Sequence, residues 1–86
     1  MKNFNVTIEI MPLDSVLDPQ GEALELVAKR SKTYKAKGFR VGKKIVFSLL
    51  SKNKADCTSS VKKLCKDFLV NEIVEQYKIK IEHAKD

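Results

Sequence analysis

Only a few side chains in this 86-residue sequence could take part in nucleophilic or acid–base chemistry. Cys57 and Cys65 are its thiols, and His83 is its single imidazole. A cysteine or serine nucleophile needs an imidazole held rigidly beside it, whereas His83 lies in a polar stretch near the end of the sequence. These three residues also lack the spacing of a zinc site. The sequence therefore predicts no catalytic residue and no metal-binding residue in this chain.

Other binding chemistries find equally little support. A glycine-rich phosphate loop is excluded, because Gly21, Gly38 and Gly42 stand apart. If Cys57 and Cys65 share a helix, its rise separates them by roughly 12 Å, beyond the reach of about 7 Å that a disulfide allows. We therefore interpret both as buried thiols, which suits a cytoplasmic protein. No apolar run approaches the length of about 20 residues that a membrane span needs, so no membrane is expected as a partner.

Lysine and arginine outnumber aspartate and glutamate by 17 to 11, which gives a net charge of +6. Such an excess could mark a surface for nucleic acid. The lysines, however, occur in every segment without a single block, which favours cations spread over solvated helix faces. The length permits one domain, residues 1–86, that buries only about 60–65% of its unfolded surface. A core this small predicts self-association.

The elements that must position these side chains begin with a strand and a helix. In residues 3–10, Phe4, Val6, Ile8 and Ile10 alternate with polar residues, as in a half-buried strand. A helix is then predicted over residues 19–33, with Asp18 as its N-cap and Pro19 at its first position. Its apolar stripe comprises Ala23, Leu24, Val27, Ala28 and Ser31.

The middle of the chain, residues 36–50, allows two structures. A hairpin at residues 42–43 would place Phe39 and Val41 on the opposite sheet face from Ile45 and Phe47. A single long strand, bent or bulged near Gly42, keeps these apolar residues on one face, and the pattern favours it.

A second helix is capped by Asn53, with Asn71 as a left-handed C-cap. Its stripe comprises Val61, Leu64, Cys65, Phe68 and Leu69. A last strand follows, with Ile73, Tyr77, Ile79 and Ile81 on one face. The order β-α-β-α-β predicts a two-layer α+β domain related to ferredoxin-like folds, with both helices on one face of a small, mainly antiparallel sheet. Its open strand edges favour pairing with another copy.

One alternative function is a small basic RNA-binding module of the RNA-recognition-motif type. Residues 37–39, Lys-Gly-Phe, open like its main signature. The match then fails, because Arg40 replaces a small residue and Val41 replaces the second stacking aromatic. We therefore expect no nucleic-acid partner.

Three ordered segments resemble the PurS family, the small subunits of phosphoribosylformylglycinamidine synthase. Residues 17–21, Leu-Asp-Pro-Gln-Gly, resemble the family signature, with Asp18, Pro19 and Gly21 as structural motif residues. Residues 39–43, Phe-Arg-Val-Gly-Lys, resemble its central motif around Gly42. The second helix up to Asn71 and the stretch 74–77, Val-Glu-Gln-Tyr, are similar to the family's end. Residues 30–32 depart from the Leu-Gly step that is usual there.

The resemblance implies a noncatalytic subunit of an ATP-dependent, glutamine-using C–N ligase in purine biosynthesis. Its partners would be a large synthetase subunit and a glutaminase subunit, which it would bridge while ammonia passes between them. The complex would use ATP and Mg²⁺, with no cofactor bound by this chain alone. We expect a homodimer or tetramer, and Gln20, Arg40 and Lys43 as partner-binding residues, because Arg40 and Lys43 lie beside the expected bend.

Overall fold

The computed structural model describes residues 1–84, and over this range the chain forms one sheet, two helices and a short π-helical turn. The elements are β1 Lys2–Pro12, α1 Pro19–Ser31, β2 Lys43–Ser51, α2 Lys54–Leu64, the π turn Cys65–Leu69 and β3 Glu75–His83. The predicted α+β class and the order β-α-β-α-β are confirmed.

The sheet has β1 at its centre, with β2 on one side and β3 on the other, and both pairings are antiparallel. Val6 lies opposite Phe47 on β2 and Ile81 on β3. Because side chains alternate along a strand, this register collects the apolar residues of all three strands on one face. Phe4, Val6 and Ile8 are fully buried there, as the alternating pattern predicts.

Helix α2 covers this apolar face. Cys57, Val61 and Cys65 are fully buried against the sheet, and both cysteines are free thiols, as expected. Burial raises the pKa of both thiols above the ordinary value. Asn53 caps the helix as predicted, since its Oδ1 accepts a hydrogen bond of 2.8 Å from the amide of Asp56.

The π turn changes which side chains reach the core. The amide of Val70 donates to the carbonyl of Cys65, five residues earlier, so the turn is wider than an α-helical one. Leu69 consequently packs against the core, whereas Phe68 is 70% exposed. The prediction that Phe68 belongs to the buried stripe is wrong for this reason.

Helix α1 is placed differently from α2. Its buried residue is Gly21 in the first turn, while Leu24 and Val27 of the predicted stripe are 49% and 63% exposed. The extensive contacts between elements join β1 to both other strands and α2 to the sheet, and α1 takes part in none of them. The described chain measures 54 × 30 × 14 Å, and its radius of gyration is 17.0 Å, against about 12 Å for a compact chain of this length. Only α2 therefore meets the expectation that both helices pack on the sheet.

The segment before β2 forms neither the long strand nor the hairpin. Strand β2 begins at Lys43, and residues 33–42 have no place in the sheet. The amides of Gly38, Phe39 and Val41 donate to side chains of Glu25 and Asp18 instead of to a neighbouring strand. The predicted length of this strand is wrong, whereas the inward phase of Ile45, Phe47 and Leu49 is confirmed.

The predictions for Asn71 and Ile73 are also wrong. Asn71 is no left-handed C-cap, because Val70 ends the π turn in an extended conformation. The carbonyl of Asn71 instead accepts hydrogen bonds from the amides of Val74 and Glu75, so it opens the turn into β3. Ile73 lies in that turn and is 84% exposed. The left-handed residue is Lys32 at the end of α1, with φ 58°. Neither helix of the described range is apolar and long enough to traverse a bilayer.

Candidate functional site

The two sequence motifs that are most specific, around Asp18 and around Gly42, meet in space. We call the residues that join them the junction: Asp18, Gly21, Glu25, Arg40 and Gly42. The junction fastens the start of α1 and the loop before it to the segment that leads into β2. It therefore sets where α1 lies relative to the sheet.

Asp18 holds both sides of the junction with its two carboxylate oxygens. Its Oδ1 accepts a hydrogen bond of 3.0 Å from the amide of Gly21, which confirms the predicted N-cap. Its Oδ2 accepts a hydrogen bond of 2.7 Å from the amide of Val41, 23 residues along the chain. The Gly21 amide first, and the Val41 amide next, lower the pKa of Asp18 because both favour the ionised form.

The two motif glycines are required by close backbone approach. A Cβ on Gly21 would overlap the backbone carbonyl of Phe39. A Cβ on Gly42 would overlap the carbonyl oxygen of Ile10 in β1 and the sulfur of Met11. Both glycines thus allow the 39–42 segment to pass directly against α1 and β1, which explains why these two motifs contain glycine.

Glu25 adds a second carboxylate to the junction, one that sequence reasoning missed. Its Oε1 accepts hydrogen bonds from the amides of Gly38 and Phe39, and its Oε2 lies 3.6 Å from Nζ of Lys29. The Gly38 amide is the main cause that lowers the pKa of Glu25. No local pattern marks this contact, because Glu25 and Gly38 are 13 residues apart.

Arg40 is half-buried and bonded within its own chain. Its guanidinium donates to the carbonyls of Leu13, Val16 and Pro12 at 2.7, 3.2 and 3.3 Å. Leu13 and Val16 belong to the β1–α1 loop and Pro12 ends β1, so Arg40 holds that loop in place. Arg40 also borders an open depression of about 300 Å³ beside Leu17. Arg40, which was predicted to bind a partner, therefore first stabilises the position of the β1–α1 loop.

Gln20 and Lys43, the other two predicted partner-binding residues, line one depression. Both are exposed and border a shallow depression of about 210 Å³ that also includes Glu75. Nζ of Lys43 lies 3.4 Å from a carboxylate oxygen of Glu75. The structure thus brings Gln20 and Lys43 to one depression, which Arg40 does not line.

The side chains of the junction position segments of their own chain. The carboxylate oxygens of Asp18 and Glu25 accept hydrogen bonds from backbone amides, so neither group is placed to transfer a proton to a substrate. Within residues 1–84, no three His, Cys, Asp or Glu side chains gather closely enough to hold a metal ion. Pro19 contributes its fixed backbone at the first position of α1.

Comparison with known proteins gives a consistent result. The family model of PurS, described as phosphoribosylformylglycinamidine (FGAM) synthase, matches residues 5–83. The chain is 35% identical over 80 residues to the phosphoribosylformylglycinamidine synthase subunit PurS of Thermotoga maritima, covering 93% of this chain and 98% of the relative. It is 32% identical over 82 residues to the Bacillus subtilis subunit of the same name, covering 94% and 95%.

Two solved structures from Thermotoga maritima are also similar. The PurS subunit of phosphoribosylformylglycinamidine synthase superposes with a TM-score of 0.84 at 34% identity, covering 93% of this chain and 92% of that one. A chain of the PurLQS structure superposes with a TM-score of 0.86 at 34% identity, covering 95% and 100%. The family match over residues 5–83 includes both motifs that form the junction.

Proposed function

The chain belongs to the PurS family of phosphoribosylformylglycinamidine synthase, and from that membership we propose that it is the noncatalytic small subunit of this enzyme in purine biosynthesis. It holds the glutaminase subunit and the ATP- and Mg²⁺-dependent synthetase subunit together in the cytoplasm. Ammonia released from glutamine then reaches formylglycinamide ribonucleotide, which becomes the formylglycinamidine product. The observation that carries this proposal is the similarity over 95% of the chain to the whole of a chain in a PurLQS structure.

The distribution of polar groups supports a binding role for this chain. The junction carboxylates are occupied by backbone amides, and the thiols of Cys57 and Cys65 are buried under α2. Gln20 and Lys43, by contrast, are exposed on one surface. We assign that surface to contact with a catalytic subunit, and we assign Arg40 to holding the loop that borders it.

The RNA-binding alternative receives less support from the sheet. RNA-recognition motifs stack bases on aromatic rings of the open sheet face. Here Phe4, Phe47 and Tyr77 point to the face that α2 covers. In the part of the chain that is described, the strand residues of the open face carry no aromatic ring, and its central row consists of Asn3, Asn5, Thr7, Glu9 and Met11.

A second copy is the partner that suits the exposed stripe of α1. Leu24 and Val27 lie on the solvent side although the helix is amphipathic, and α1 projects from the sheet. Burying such a stripe contributes about 25 cal/mol per Å² of apolar surface. We propose a homodimer, or a tetramer of two such dimers, in which this stripe is covered. Light scattering is expected to show the wild type associated at micromolar concentration and a Leu24→Asp, Val27→Asp double variant dissociated.

A matched control for that test is Leu50→Asp, because Leu50 is 59% exposed on the open face of the sheet, away from α1. This variant is expected to associate like the wild type. A wild-type chain that is monomeric at micromolar concentration contradicts the oligomer, and equal loss in both variants contradicts the assignment to α1.

Reconstitution tests the function itself. Purified synthetase and glutaminase subunits are mixed with and without the chain, and product formation is followed with glutamine or with ammonium as nitrogen donor. We expect glutamine-dependent synthesis to require the chain and ammonium-dependent synthesis to proceed without it. Glutamine-dependent synthesis at the full rate without the chain contradicts the proposal.

A further inference from the structure

The end of α1 and the turn after it concentrate positive charge. Five of the nine residues 29–37 are basic: Lys29, Arg30, Lys32, Lys35 and Lys37. No acidic residue occurs between Glu25 and Asp56. All nine residues are exposed. We call residues 29–37 the basic tip. Its charge is +5, against a net charge of +6 for the whole chain. This concentration differs from the even spread of cations predicted above.

The basic tip has a defined base and a defined turn. Glu25 closes the base, because its carboxylate binds the amides of Gly38 and Phe39 on the returning segment. At the turn, Lys32 is left-handed, and the backbone amide of Thr33 donates to the hydroxyl of Ser31 at 3.4 Å. The cations are thus carried on a closed loop at the end of a helix rather than on a free tail.

Most of these cations have no counter-charge within the chain. Lys29 is 3.6 Å from Glu25, but in residues 1–84 no carboxylate lies within ion-pair distance of the other four: Arg30, Lys32, Lys35 and Lys37. Two lysines elsewhere in the chain differ, since Lys43 and Lys80 are each paired with a glutamate. Like charges held close together repel, and an acidic surface outside the chain relieves that repulsion.

We propose that the basic tip binds an acidic protein surface on a catalytic subunit of the synthase and steers the association with it; this inference rests on the proposed function. A second copy is a poor occupant, because it would bring an equal positive charge to the contact. Single-stranded nucleic acid is also a poor occupant, because such binding uses several stacked aromatic rings and the basic tip has only Tyr34. Opposite charge on a folded protein accelerates encounter and makes it sensitive to salt.

The test compares two full-length variants with the same loss of charge. In the tip variant, Arg30, Lys32, Lys35 and Lys37 become glutamine, while Lys29 stays paired with Glu25. In the control, four exposed lysines of α2 and the π turn become glutamine: Lys54, Lys62, Lys63 and Lys66. Association with the purified synthetase and glutaminase subunits is measured at low and high salt, and thermal melts verify that both variants fold.

At low salt we expect the tip variant to associate about tenfold more slowly than the wild type, with the difference disappearing at high salt. The control is expected to change by less than about twofold. Equal slowing in both variants, or unchanged association of the tip variant, overturns the inference while wild-type binding still supports the proposed function. Failure of the wild type to bind either subunit overturns both. A single-stranded oligonucleotide that binds only through the tip, without an effect of the variant on subunit association, overturns it in favour of nucleic acid.

Discussion

The sheet with α2 and the region of α1 with its returning segment are stabilised in different ways. In the first region, Phe4, Ile8 and Val61 are fully buried, and the apolar face of the sheet packs against α2. In the second, α1 buries Gly21, and the carboxylates of Asp18 and Glu25 fasten it to the returning segment. One region is thus held by apolar burial and the other by directed hydrogen bonds.

This difference indicates that the two regions have different roles within a small subunit. A 13-residue helix such as α1 is marginal in water on its own, so its position depends on the junction and on what covers its stripe. Hydrogen bonds from backbone amides to a carboxylate are directional, so they fix the orientation of α1 as well as stabilise it. The sheet and α2 therefore contain the apolar core, while the junction fixes the direction of α1 and the basic tip, which are proposed above to contact other chains.

The largest expected effect comes from truncating the packed region. Phe4→Ala removes a ring that is fully buried and packs 4.8 Å from the ring of His83, centroid to centroid. A loss of about 3–5 kcal/mol is expected, which is most of the stability of a domain this small. The matched change in the other region, Val27→Ala, is expected to cost less than about 0.5 kcal/mol in the monomer. Urea unfolding measures both at a protein concentration low enough for the chain to be monomeric, and equal costs contradict the division into two regions.

A smaller effect is expected from filling the close contact in the junction. Gly21→Ala drives a methyl group into the carbonyl of Phe39, and such overpacking costs about 1–3 kcal/mol. The loss should appear as faster amide exchange along α1, with exchange in β1 and α2 unchanged. Gln20→Ala, one residue earlier and exposed, is the control and is expected to leave exchange unchanged. Uniformly faster exchange over the whole chain would show that the junction also supports the sheet.

Strand phase and helix caps could be predicted from the sequence because they depend on neighbours. The alternation of Phe4, Val6 and Ile8 requires only the period of a strand, and Asn53 requires only the amides of the next turn. The fold class followed from the order of these elements. The same local reasoning predicted the N-cap role of Asp18.

What could not be predicted depends on contacts between distant segments or on a change of helical period. The stripe of α1 indicates burial, but the sequence does not say whether its own sheet or another chain provides the surface. The π turn turns Phe68 outward, although its spacing is that of an α-helix. Arg40 was expected at a subunit contact because it lies beside the expected bend, and nothing local shows that the carbonyls of Pro12, Leu13 and Val16 surround its guanidinium.

Removing the guanidinium of Arg40 tests how far the loop depends on it. Arg40→Ala frees the carbonyls of Leu13 and Val16, which water can then hydrate because this site is only half-buried. A cost of about 1 kcal/mol is expected, with increased mobility of residues 12–17 seen in backbone relaxation. Arg40→Lys should recover only part of it, because a lysine lacks the planar, forked donors. Unchanged loop dynamics with slower subunit association would instead return Arg40 to the direct contact expected from the sequence.

The smallest expected effect is a dependence on pH that is confined to one helix start. Asp18 caps α1 with a carboxylate that titrates, whereas Asn53 caps α2 with an amide that does not. The hydrogen bonds from Gly21 and Val41 lower the pKa of Asp18 below its ordinary value of 3.8. The stabilisation is therefore complete above pH 3.8 and is lost as the pH falls through the lowered pKa of the folded state.

Between pH 6 and pH 2 we therefore expect the amide signals of Gly21 and Val41 to shift and to lose exchange protection, while the Asp56 amide at the start of α2 keeps its hydrogen bond to Asn53. In Asp18→Asn the amide oxygen still accepts from the Gly21 amide, so the shift at Gly21 should disappear without loss of the helix, whereas the Val41 amide loses its acceptor. Exchanging the chemistry with Asn53→Asp should transfer the pH dependence to α2. Equal acid sensitivity of both helix starts in the wild type would show that the two regions respond through their common sheet rather than through their caps.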